Sequence, residues 1–310
     1  MIMRSRRYFI PLFALAGALA ARGAGVSEQA DGGDSASAPW FKPIFASGEY
    51  VAEETYVGEA SVRRSTQRVN DYDEHDTLLR LILTPRAKIG VLRFGLEWER
   101  FSFGFPQRTP LPNTLQAGAL VVGLDTQLSD SILIRVEAQP GFYGTTDFTS
   151  NNFSIPFLAG GTYIYNPNLQ IVAGVSVDVE RHYPVIPAAG IRWKMARQWV
   201  LNAVLPEPRL EYQATRNVTL YAGGNFKETN FRMGDHFGDS KGIPQLNDAV
   251  LTYSEVRAGV GADWKLFSFA TVSAEAGYQP YRSFDYYRAD IRFHENGSAP
   301  YGVLSLHGAF

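Results

Sequence analysis

The stretch that most restricts what this chain can fold into runs from Leu169 to Glu180. Its odd-numbered residues are Leu169, Ile171, Ala173, Val175, Val177 and Val179, all apolar. Its even-numbered residues are Gln170, Val172, Gly174, Ser176, Asp178 and Glu180. Side chains alternate across a strand, so one face is uniformly greasy and the other is small or charged. A half-buried strand of a soluble sheet has this pattern too. The length favours another reading, because a transmembrane β-strand needs about 9–11 residues.

The same period recurs along the chain. Leu79, Leu81 and Leu83 alternate with Arg80 and Ile82, and Leu92, Phe94, Leu96 and Trp98 alternate with Arg93, Gly95, Glu97 and Glu99. Ile132, Ile134 and Val136 alternate with Arg135 and Glu137, and Val250–Trp264 and Ser268–Phe284 follow suit. Glu49–Val62 is expected as a weaker first strand. Tight turns are expected near Pro85, Ser129, Pro167, Ala196, Arg216 and Leu266. Longer polar loops are expected near Tyr72, Pro110, Asn151, Gly238 and Glu295. Short turns alternating with long loops are the two-sided asymmetry of outer-membrane barrels. The pattern predicts an all-β fold, an up-and-down transmembrane antiparallel β-barrel of about 12–14 strands covering residues 49–310. The strand number turns on Pro206-Glu207-Pro208. Proline cannot donate to a ladder, so these residues are either a tight hairpin, giving the higher number, or rim bulges, giving the lower.

Bulk composition agrees with this without deciding it. Hydrophobic residues make up 45% and aromatics 13%, which suits strands whose lipid and lumen faces alternate. The chain has no cysteine, which excludes a disulfide framework and a thiolate metal site. Arg4, Arg6 and Arg7 followed by the apolar Tyr8–Ala20 are expected to form a secretory signal within residues 1–24, cleaved near Ala20 or Ala24. Residues 25–48, rich in Ser, Asp, Gly and Ala, are expected to be a flexible periplasmic arm, with a plug inside the barrel as the sharper alternative. Cleavage at Ala20 leaves 26 basic against 31 acidic residues, a balance that does not suit nucleic acid.

Two resemblances add to this reading. The terminal Tyr301–Phe310, with Leu304 and Leu306 in phase with Phe310, resembles the C-terminal signature that the barrel-assembly machinery reads in bacterial outer-membrane proteins. Tyr183-Pro184-Val185-Ile186-Pro187, Gly190-Ile191-Arg192-Trp193 and Leu205-Pro206-Glu207-Pro208-Arg209-Leu210-Glu211-Tyr212 resemble a family of Gram-negative outer-membrane β-barrels known only as a domain of unknown function. The resemblance implies a barrel in the outer membrane, in contact with its lipid and lipopolysaccharide. It brings no reaction, ligand or cofactor.

By strand parity the lumen-facing charges are Arg93, Glu97, Glu99, Arg135, Glu137, Asp178, Glu180, Lys227, Glu255, Arg257, Asp263 and Glu275. In an open pore such charges tune ion selectivity. In a closed barrel they pair and fill the lumen. Arg135/Glu137 and Glu255/Arg257 suggest some pairing. The leading expectation is a porin-like channel for small solutes. The alternatives are a closed barrel with a structural or surface role, a transporter of hydrophobic compounds, and an envelope-modifying enzyme. For an enzyme, His182 near Glu180 is the one base with an acidic strand neighbour, and Ser176 shares its face. His75 among Asp71, Asp73, Glu74 and Asp76 is the one candidate for a cation-binding loop. No catalytic, cofactor or metal residues are expected, and the oligomeric state is left open.

Overall fold

The computed structural model describes residues 47–106, 109–146 and 148–310. The expected signal and residues 25–46 of the expected arm lie outside the described residues. Ser47 and Gly48 already belong to the first strand.

Alternating side chains commit each segment to a sheet with one wet and one greasy face. The sheet closes on itself as a fourteen-stranded antiparallel barrel. In chain order the wall is β1 (Ser47–Arg64), β2 (Gln67–Thr84), β3 (Gly90–Phe103), β4 (Thr114–Ser129) and β5 (Ile132–Ala138, continuing as Gly141–Gly144). It goes on as β6 (Phe153–Ser154, then Phe157–Asn166), β7 (Leu169–Val177), β8 (Val185–Lys194), β9 (Trp199–Val204) and β10 (Arg209–Gln213). It ends with β11 (Val218–Arg232), β12 (Val250–Phe267), β13 (Ala270–Tyr286) and β14 (Ile291–Asn296, then Ala299–Ala309). Neighbours in sequence pair, and β1 pairs with β14 from Glu49↔Ala309 to Val57↔Tyr301, which removes both edges. Pro206-Glu207-Pro208 is therefore the top of a hairpin, which settles the higher strand number.

The outward face is a lipid belt. Leu79, Leu81, Leu83, Phe94, Leu96, Leu120, Ile171, Val175, Leu220, Val260 and Leu304 are all exposed. Exposed Tyr163, Tyr165, Trp193, Trp199, Trp264, Phe267 and Phe310 ring the end that carries the tight turns, and Tyr56, Phe142, Phe153 and Tyr278 lie farther up the strands. These are the two aromatic girdles of a membrane barrel.

Two expected loops are instead sheet. β1 and β2 are both 18 residues long and turn at Ser65-Thr66, so the charged run Asp71–Asp76 lies inside β2. The expected final loop contains Ile291–Asn296 of β14, which pairs with both β13 and β1. These extensions enclose an apolar core at the outer end. Tyr72, Phe101, Phe103, Phe105, Phe231, Tyr253, Phe284 and Phe293 are buried together with Leu111, Leu246 and Leu251. Phe103 and Phe284 meet at 5.2 Å and Phe101 and Tyr253 at 4.9 Å between ring centroids. Fully burying such rings is worth about 1.5–3 kcal/mol each.

The core closes because the wall takes a short cut. At its outer tip β5 stops pairing with β6 and meets β11 in a single parallel bridge, Gly144↔Arg232. Asn152 locks this seam: its amide donates to the Arg232 carbonyl at 3.0 Å, and its carbonyl accepts from the Thr149 N–H at 2.6 Å. A Cβ on Gly144 would lie 2.6 Å from that Asn152 amide nitrogen and 3.2 Å from the Arg232 carbonyl oxygen. Gly144→Val is expected to cost about 1–3 kcal/mol through overpacking. It should lower the temperature at which the folded band is lost in heat-modifiability gels. Gly118→Val, which meets nothing within 4 Å, should leave it unchanged. Equal behaviour of the two variants would show that the seam is not tight.

Candidate functional site: the charged lumen

The lumen is filled by named pairs. On β2, β3 and β5, inward positions two residues apart bring Arg80 to within 2.9 Å of Glu137 and 3.1 Å of Glu97. Arg93, 2% exposed, reaches Glu137 at 3.2 Å, Glu49 at 3.1 Å and Asp125 at 3.6 Å. Arg135 turns to Asp125 at 2.6 Å instead of its neighbour Glu137.

A second layer lies directly beneath the aromatic core. The Lys227 ammonium sits 2.7 Å from Asp76 and 2.8 Å from Glu99, and 4.9 Å from the centre of the Phe101 ring. Arg257 pairs with Glu255 at 3.0 Å and donates to the Thr55 hydroxyl at 2.9 Å. Arg282, fully buried, bonds Glu74 and Glu295 and covers the Tyr72 ring at 4.3 Å. The Tyr253 hydroxyl is 2.8 Å from both Glu74 and Glu255. A third group lies toward the turn end: Arg209 beside Glu207 at 3.6 Å and Glu275 at 3.9 Å, Tyr301 donating to Glu275 at 2.6 Å, and Ser273 donating to Asp263 at 2.5 Å.

Arg93, Glu97, Glu99, Arg135, Glu137, Lys227, Glu255, Arg257, Asp263 and Glu275 are the sequence candidates that take part in these contacts. Asp178 and Glu180 lie beyond β7, which ends at Val177, and Asp178 still reaches the cavity lining. Asp178 instead accepts from Asn230 at 2.6 Å, and Glu180 faces Arg288 at 2.9 Å and Arg232 at 3.6 Å at the outer rim. Glu74, Asp76, Arg282 and Glu295, the heart of the second layer, were not anticipated. The segments of Glu74, Asp76 and Glu295 look like polar loops, whereas Arg282 lies in the expected strand Ser268–Phe284. The signal is present nonetheless: counting back by twos from Arg80 reaches Asp76, Glu74 and Tyr72.

Between the two layers lies a cavity enclosing about 1250 Å³, part of it open to solvent. Its lining runs from Glu49, near the turn end of β1, to Asn230, near the outer end of β11. Seven carboxylates and four cationic side chains line it.

The catalytic alternative finds no assembled site at His182. Its ring is stacked between Tyr183 at 4.6 Å and Tyr287 at 5.0 Å. The Ser176 hydroxyl accepts from Arg181 at 3.0 Å. Among the described residues, no three His, Asp or Glu side chains gather as metal ligands. His75, Asp71 and Asp73 point away from Glu74 and Asp76, because neighbours in a strand face opposite sides.

The family model for a domain of unknown function, DUF6268, matches residues 92–296. The chain belongs to this family. Comparison with curated proteins gives no match. Among solved structures the chain is similar to the toluene transporter TodX of Pseudomonas putida, at 8% identity, covering 84% of this chain and 89% of that one, with a TM-score of 0.43. It is also similar to the NanC porin, at 10% identity over 84% of this chain and 98% of that one, TM-score 0.40. The outer-membrane protease OmpT from Escherichia coli follows at 11% identity, 86% and 96% coverage and a TM-score of 0.26. Likenesses this distant carry no argument, and the barrel rests on the closure of the sheet itself.

Two outcomes test this geometry. Lys227→Met removes the one cation held between Asp76 and Glu99 and should destabilise the barrel by about 3–5 kcal/mol, since it strands buried carboxylates. Adding Glu99→Gln should recover part of that loss in urea-unfolding midpoints. A silent Lys227→Met would mean the layer is hydrated rather than paired. In the outer loop, Arg232 donates to Asp248 at 2.8 Å and holds its carboxyl below the usual Asp range. That stabilisation is complete above the ordinary Asp pKa of about 3.9. It is lost as pH falls through the lowered native value. Asp248 is well exposed, so Asp248→Asn should cost under about 1 kcal/mol and remove that acid dependence from the unfolding curve.

Proposed function

We propose that this protein is a selective channel in the outer membrane of a Gram-negative bacterium, passing small polar solutes with a preference for cations. One observation carries the reading. The barrel encloses a cavity lined by seven carboxylates against four cationic side chains, set in a low-dielectric wall. Fixed charge of one sign in such a wall raises the local concentration of counter-ions and repels ions of like charge. The aromatic core above the cavity makes this a closed state, unlike a general diffusion pore. Opening requires Phe103 and Phe284, which seal the outer end, to move apart.

The closed structural barrel is the second reading. Its support is specific: Arg93 reaches Glu137, Arg257 reaches Thr55 and Asp76, and Arg282 reaches Glu74, each on another strand, and such contacts brace a wall as well as they line a pore.

Planar-bilayer recording separates the two. The protein is expected to be mostly shut, with brief cation-selective openings. Phe103→Ala combined with Phe284→Ala should increase open time and conductance, and Glu97→Gln should weaken cation selectivity. A folded barrel that stays silent even with both rings cut back would favour the structural reading. A large, steady wild-type conductance indifferent to the rings would overturn closure by the aromatic core.

A further inference from the structure

The wall has a gap. β9 and β10 are 6 and 5 residues long, whereas β11 beside them has 15. β8 pairs with β9 only from Gly190↔Val204 downward, and β11 pairs with β10 only from Arg209↔Gly223 downward. Two further bonds, from Gly224 N–H to Pro208 and from Phe226 N–H to Pro206, finish the hairpin. Above it, among the described residues, no strand lies between Val185–Ala189 of β8 and Lys227–Phe231 of β11, and the upper part is crossed by side chains, Arg181 to Glu228 and Asp178 to Asn230.

This gap lies at the depth of the lipid. Val185 is 57% exposed on the outward face of β8, and Val175 and Val179 are exposed beside it. An open sheet edge in hydrocarbon is tolerated only where it borders a cavity. The cavity reaches this place: Pro206 and Glu207 form its sill, Phe226 and Glu228 its β11 side, and Asp178 and Arg181 its top. The edge is also unsuited to a further strand. Even-numbered residues of β8 bond toward β7, as the Pro184 carbonyl and the Lys194 N–H show, so odd-numbered residues face the gap. Pro187, in the middle of that edge, has no N–H to offer an incoming strand.

We infer that the gap between β8 and β11 is a lateral portal, through which an amine-bearing amphiphile, with one cationic head and one hydrocarbon chain, enters the cavity from the bilayer. The inference rests on the cation-preferring reading above. The apolar outer face of β8 suits the chain. The carboxylate-rich interior suits the head, and the cations of the lining are already engaged, Lys227 by Asp76 and Glu99 and Arg181 by Glu228 at 3.6 Å. An anionic head meets an excess of like charge, with no free cation among the described lining residues to receive it.

Photolabelling of the full-length barrel in phosphatidylcholine vesicles tests this. The probe is a long-chain alkylamine with a diazirine in mid-chain, and its comparator is the same chain with a sulfate head. The amine is expected to label the peptides carrying Val185–Ala189 and Pro206–Phe226 above the rest of the lipid belt, and the sulfate to spread evenly. Glu207→Gln, at the sill of the gap, should lower the labelling there about tenfold, and heat-modifiability confirms that this variant is folded. Even labelling by both probes would overturn the portal. Equal enrichment of both at the gap would overturn the cationic class. Cation-selective conductance without enrichment at the gap would sink the portal while leaving the channel standing; enrichment with a silent barrel would do the reverse.

Discussion

Inside hydrocarbon no water is present to bond a bare backbone, so every N–H and C=O of the sheet must find its partner in the sheet itself. Nearly everything else about this molecule follows from how that constraint is met. At the turn end the answer is a complete ring of fourteen strands, with β14 returning to β1. At the outer end it is a smaller ring, made when β5 passes the wall directly to β11 at Gly144 and Arg232. β6 to β8 are left out of this ring, and the outer face of β11 lies outside it. That face bears Glu228, Asn230 and Arg232, groups that could not face lipid. The segment after β7 supplies Asp178, Arg181 and Glu180 to cover them.

The smaller ring explains the aromatic core. A narrow barrel leaves room for side chains only, and this one fills it with rings as a soluble protein would. The charged layer below has a different origin. Long Arg, Lys and Glu side chains span a lumen too wide for Leu or Val, and they survive removal from water only in pairs. Arg93, with three carboxylates around it, and Arg282, with two carboxylates and the Tyr72 ring, show the arrangement at its tightest. The same groups brace the wall and give the cavity its acidic excess, so both rest on one set of side chains.

Much of this was legible in the chain. The lipid face of β7 follows from Leu169, Ile171, Ala173 and Val175 alone, and the inward placement of Arg93, Glu137 and Glu255 from parity. The hairpin at Pro206 was one of two readings that proline chemistry allows. Other features were hidden for physical reasons. Asp71–Asp76 looks like a solvated loop because charge is normally a sign of water. Here alternate members of the run turn inward to Lys227, Arg257 and Arg282, which lie more than a hundred residues away. Glu295 was masked in the same way by His294, Asn296 and Gly297. Asp178 and Glu180 share the parity of their strand, but the strand stops before reaching them.

By itself the sequence determined that a sheet would form, which side of each strand would meet lipid, and that short turns and long loops would lie at opposite ends. These are consequences of period two and of local turn chemistry, both written within a few residues. Which charges meet across the lumen, where the wall takes its short cut, and where it is left open were decided only by the tertiary structure. They depend on the tilt and closure of the whole ring, and closure sets distances between residues that no local pattern relates.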